Sequence, residues 1–307
     1  GYFFQSDAHN VVLFNGEGQS REQQYEGSYL RGSLHHLMDN GQVKYVLANG
    51  TGPMADKFSR NFRHFLWMDK VKYEIDDIKA HHAGQFVIIR PLFPRLLALS
   101  DFVQDYPEDL YWEVKTGPTE DLKGKEEYYS FHLPGEHKRI KGLTAIILKD
   151  HPGDKDLPYM EKREGKDWIG LRVRRGGKVP DMYITQQADG RLMHNNSWIE
   201  ADGWTTDAYM FTVTYDEGAD PSTAGGFFVC YGSALRRGGV SYFSSLSKLF
   251  VMQHAEGKEL DVHVQGQPYV RAVFHAGSRP SSLRVNGHAE KVVYEDGNVI
   301  LKKQVKS

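Results

Sequence analysis

His9 and the basic trio Arg60, Arg63 and His64 are the side chains whose types and setting best suit chemistry. His9 opens the run Asp7-Ala8-His9-Asn10-Val11-Val12-Leu13-Phe14-Asn15-Gly16-Glu17-Gly18-Gln19, an alternating, β-branched strand that closes in a Gly-rich turn. Neutral imidazole is a common zinc ligand and a strand fixes its direction, which makes His9 a candidate metal ligand. One histidine is not a site, because a catalytic zinc takes about three protein ligands; a hydrogen-bonded structural histidine is the plain alternative. Arg60, Arg63 and His64 fall in Phe58-Ser59-Arg60-Asn61-Phe62-Arg63-His64-Phe65-Leu66-Trp67-Met68, where basic and aromatic residues alternate. Guanidinium groups there suit the carboxylates or sulfates of an acidic sugar. The simpler alternative is a strand whose Phe and Trp pack inward while Arg meets water.

The remaining candidates carry less chemistry. Asn10 is expected to bond to backbone at a strand edge. The doublets His35-His36 and His81-His82 point their rings to opposite strand faces, one buried and one exposed, so neither doublet chelates one ion. Asp76 and Asp77 could form an acid/base pair, but consecutive strand residues diverge, and a hairpin turn suits them better. Trp198 and Trp204 flank Glu200 and Asp202 and fit either a sugar-stacking platform or an aromatic anchor between sheets. Cys230 sits in the apolar run Gly226-Phe227-Phe228-Val229-Cys230-Tyr231, the setting of an inert buried thiol. The sequence holds no nucleophile elbow, Walker, Rossmann or CxxC pattern.

Short alternating runs must position these side chains. Val43–Leu47, Lys70–Ile75, Gln85–Ile89, Leu143–Leu148, Trp168–Val173, Tyr209–Tyr215 and Leu260–Val264 read as strands. The turn pairs Asn40-Gly41, Asn49-Gly50, Asp189-Gly190, Asn286-Gly287 and Asp296-Gly297 fall between them. The pattern predicts an all-β, antiparallel β-sandwich or supersandwich with a smaller C-terminal β unit and little helix. Short helices are expected only at Ser28–Asp39 and Arg95–Asp101, and a surface excursion at Gly117–Arg139. The segment 217–226, rich in Gly and small residues and containing Pro, reads as a linker, which divides the chain into 1–216 and 217–307. The 307 residues are 40% hydrophobic and 25% charged, the balance of a folded soluble domain. A net charge of −2 excludes a strongly basic nucleic-acid footprint, and no apolar run is long enough for a membrane span.

The segment Asp7 to Gln19 resembles the His-Asn strand of the heparinase II/III-like polysaccharide lyases. Arg60 to Ile78, an Arg-bearing strand followed by an acidic strand end, is similar to that family as well. The resemblance implies the C-terminal β-sandwich region of a lyase that cleaves an acidic, uronate-containing polysaccharide by β-elimination. It implies an α/α toroid upstream that holds the catalytic residues, so no catalytic residue is assigned to this chain. His9 is then a ligand of zinc or another divalent metal, in a site left incomplete here because the family's His-x-His-x-Asp ligands lie upstream. Arg60, Arg63 and His64 are the expected substrate contacts. A periplasmic or secreted location, with a signal peptide upstream, goes with that reading. Two other readings stay open: a stand-alone carbohydrate-binding β-sandwich, and a sugar epimerase or mutarotase-like enzyme.

Overall fold

The computed structural model describes residues 10–19, 31–92, 97–104, 111–118, 125–151, 154–186, 197–266, 269–285 and 288–304. Among them the chain is almost entirely β and antiparallel, as the alternating runs predict. It forms two compact units, Gly1–Pro158 and Tyr159–Ser307.

In the first unit β1 (Val11–Phe14), β6 (Phe86–Leu92), β8 (Tyr111–Pro118) and β9 (Lys125–His132) make a four-stranded sheet, in the order β1-β6-β9-β8. A six-stranded sheet contains β2 (Ser33–Asp39), β3 (Val43–Asn49), β4 (Phe58–Met68), β5 (Val71–Gly84), β7 (Leu97–Gln104) and β10 (His137–Leu148), in the order β2-β3-β4-β5-β10-β7. The two sheets close on a shared apolar cluster. Val12, Phe14, Phe86, Ile88 and Phe131 come from the smaller sheet, and Phe58, Ile78, Ala80 and Ile140 from the larger. The Phe14 ring meets Phe58 edge-on at 5.5 Å and Phe86 at 5.0 Å, geometries that aromatic pairs favour. Arg60, Arg63 and His64 lie in this sandwich.

The second unit is built on one sheet. Its strands are β11 (Tyr159–Gly165), β12 (Trp168–Arg174), β13 (Lys178–Thr185), β14 (Ile199–Ala201), β15 (Trp204–Thr206), β16 (Met210–Asp216), β17 (Gly226–Arg237), β18 (Val240–Glu256), β19 (Glu259–Gln265), β20 (Tyr269–His275), β23 (Tyr294–Glu295) and β24 (Asn298–Gln304). β21 (Leu283–Val285) and β22 (His288–Glu290) form a separate hairpin. A core of Trp168, Tyr183, Trp204, Phe211, Phe227, Phe243 and Phe274 packs along the sheet. Cys230 is buried in β17, as its apolar run predicts.

Four expectations change. Segment 217–225 is the connection of a hairpin whose strands β16 and β17 pair from Met210↔Cys230 to Thr214↔Gly226, so the units part at 158/159 instead of 216/217. Asp220 caps the single 3-10 turn Pro221–Thr223 within it by accepting from the Ser222 N–H at 2.8 Å. Ser33–Asp39 is a strand, not a helix, and Leu97–Asp101 lies in β7. The supposed excursion after Gly117 contains β9, an inner strand of the smaller sheet.

Candidate functional site

Strand alternation sends Arg60 and His64 to one face of β4 and Arg63 to the other, so the basic trio does not share a surface. Arg63 lies on the face turned to the smaller sheet, level with Asp76 on β5. There Glu74 and Asp76, two residues apart on one strand, meet cations from both sheets. Glu74, Asp76 and Arg90 are only 0, 1 and 1% exposed at their side chains. Arg63 Nε donates to Asp76 Oδ1 at 2.8 Å, while an Nη of Arg90 donates to Asp76 Oδ2. Arg90 Nε stands 3.2 Å from Glu74 Oε2, and Lys72 Nζ pairs with Glu74 Oε1 at 2.5 Å.

Asn10 ties the head of β1 into this cluster. Its Nδ2 donates to both Glu74 oxygens at 2.8 Å, its Oδ1 accepts from Arg90 at 2.9 Å, and its carbonyl accepts from Arg63 at 2.5 Å. The sequence reading gave Asn10 a backbone bond; the structure gives its side chain charged partners instead. Burial alone would raise both carboxyls. For Asp76 the guanidiniums of Arg63 and Arg90 outweigh it, and for Glu74 Arg90, Arg63 and Lys72 do, so both stay below the ordinary carboxylate range. Three cations face two carboxylates, which leaves one positive charge in excess. Arg63 and Lys72 also lie over the ring of Phe65, at 5.7 and 5.3 Å from its centroid.

On the opposite face Arg60 Nε and Nη2 donate to Asp77 Oδ1 at 3.1 and 2.8 Å. Asp77 is held low although it is buried, because Lys141 and Arg60 stand beside it. His64 is fully buried and lies 2.8 Å, Nδ1 to hydroxyl, from Tyr45. Burial lowers its pKa to about 3, so the imidazole is neutral near pH 7. The arginines thus face carboxylates inside the protein instead of water, and Asp76 and Asp77 sit in mid-strand, on opposite faces, instead of in a turn. Arg90 and Glu74, which complete the cluster, carry no signal in the sequence beyond their charge.

His9 lies outside the described residues. Among the described residues no group of three or more His, Cys, Asp or Glu is placed to hold a metal ion. Glu74 and Asp76 already face cations, so they do not fit a metal's needs. Of the doublets, His36 is half-buried while His35, His81 and His82 are exposed, which departs from the one-in, one-out expectation. Trp204 is in the core of the second unit, 1% exposed, whereas Trp198 is 52% exposed. No helix among the described residues is long and apolar enough to cross a membrane.

No protein-family model matches the chain, and no curated protein matches it. Solved structures do. A heparinase III (the BT4657 gene product) aligns over 59% of this chain and 30% of its own, at 11% identity and a TM-score of 0.43. Heparan sulfate lyase HepC from Pedobacter heparinus aligns over 56% and 29%, at 11% identity and a TM-score of 0.40. Another heparinase III aligns over 60% and 30%, at 11% identity and a TM-score of 0.42. The chain spans about 30% of the length of these structures, and the likeness is distant.

Proposed function

We propose that this chain is the β-sandwich part of a heparinase II/III-like polysaccharide lyase that acts on an acidic, uronate-containing polysaccharide. The observation that carries the reading is the Asp7–Gln19 segment, whose residue types and order resemble the family's His-Asn strand. Its Asn10 is fastened to Glu74, Arg90 and Arg63. In this reading an α/α toroid upstream supplies the catalytic residues and this chain alone is inactive. His9 joins upstream ligands around a divalent metal, and the protein is exported to the periplasm or beyond. The arginines of β4 then act as buried supports of the site rather than as direct sugar contacts.

The test compares the longer gene product with residues 1–307 alone on heparan sulfate, chondroitin sulfate, hyaluronan and alginate. The ultraviolet absorbance of an unsaturated uronate product should rise with the longer protein only. Inactivity of the longer protein on every polymer overturns the reading, as does lyase activity from the isolated chain.

A further inference from the structure

We propose that the outer face of the β14–β15–β17 corner in the second unit binds an acidic polysaccharide chain, with Trp198 as the stacking platform and Arg236 as the carboxylate contact. The placement follows from register. Glu200 opposes Thr205, Thr205 opposes Arg236, and Arg236 opposes Ser241. Directly opposed residues point to the same side of a sheet, so these four form one row across four strands, spanning about 14 Å. Ile199 and Ala201 are buried on the inner side, and Trp198 and Glu200 alternate with them on the outer side.

Trp198 has no part in the core that would account for it, whereas Trp204 does. Trp204 is buried with the Arg237 guanidinium 5.3 Å from its ring centroid, and Arg237 bonds to the Asp202 carbonyl. That pair closes the fold. Trp198 and Arg236 repeat the geometry outward: the Arg236 guanidinium lies 5.3 Å from the indole centroid, and both residues are exposed. Among the described residues no carboxylate pairs with Arg236, whose guanidinium lies against the exposed indole. An exposed indole offers an apolar face to the C–H side of a pyranose ring, and the planar guanidinium a two-point match to a carboxylate. Thr205 and Ser241 add hydroxyls along the row. Glu200 at the far end disfavours a second carboxylate there, which fixes the anion at Arg236. This inference needs binding alone and does not rest on the lyase reading.

Affinity electrophoresis of the 307-residue chain through gels containing hyaluronan, alginate, heparan sulfate or dextran tests it. At least one uronate polymer should retard the chain and dextran should not. Trp198→Ala should weaken that binding about tenfold, the scale of a Trp contact at a binding hot spot, and Arg236→Gln by a similar factor. Glu200→Gln should strengthen it. Both weakening substitutions are at exposed positions, and unchanged circular dichroism and melting temperature verify the fold. Migration unaffected by all three uronate polymers overturns the proposal, as does binding that survives Trp198→Ala. Equal retardation by dextran, or binding indifferent to Arg236→Gln, overturns the carboxylate contact. Binding without lyase activity in the longer gene product sinks the lyase reading and leaves this one standing; the reverse result does the opposite.

Discussion

Asp76 holds two guanidiniums from two different sheets, so its carboxylate is worth more than one ion pair. Removing one partner of a buried pair strands the other, which costs about 3–5 kcal/mol. Asp76→Asn should lose stability on that scale, read as a lower urea midpoint at neutral pH. The pH dependence follows from the lowered carboxyls of Glu74 and Asp76. Their stabilisation is complete above the unfolded values, about 4, and drains away as the pH falls through the folded ones. Asp76→Asn should therefore flatten the acid side of the stability curve as well as lower its plateau. Of the two carboxylates only Asp76 was legible in the sequence as a candidate, and so was its divergence from Asp77. Their partners were not. Arg90 reaches them across the sandwich from another sheet, and no spacing along the chain encodes that approach.

The β12–β13 ladder depends on a residue without a side chain. A Cβ at Gly170 would press on the backbone carbonyl of Met182, and backbone in a central ladder cannot swing aside as a side chain can. Gly170→Ala should cost about 1–3 kcal/mol, measured by thermal or urea unfolding. Gly225→Ala serves as the control, since nothing stands within 4 Å of a Cβ there. The Asn-Gly and Asp-Gly turns are where the sequence spoke most plainly. Asn15-Gly16 and Asp296-Gly297 adopt the positive φ values that such pairs tolerate, at 52° and 78°, and 48° and 80°. β2 shows the opposite case. Leu34, Leu37 and Met38 carry helical spacing, but the register slips between Leu34 and His36, so a bulge breaks the alternation that marks a strand. Leu34 and Leu37 remain exposed on that edge strand, and of the three only Met38 is buried.

At the scale of the molecule, each unit carries its own apolar core, from Val12 to Ile140 in the first and from Trp168 to Phe274 in the second. Among the described residues a cut between Pro158 and Tyr159 breaks no strand pairing, whereas a cut at 216/217 separates β16 from β17 and bares both. Residues 159–307 should unfold in one cooperative transition by circular dichroism, and residues 217–307 should show none. The unit boundary escaped the sequence because a hairpin loop of small residues with Gly and Pro has the composition of a linker. The charged cluster between the sheets has a further consequence, for descent. In the set Arg63, Arg90, Glu74 and Asp76, any lineage that loses a carboxylate singly must pass through an ancestor in which three cations face one carboxylate. Selection will therefore tend to pass the four on together or exchange them as a set, even while the exposed Trp198 and Arg236 drift with whatever glycan the lineage meets.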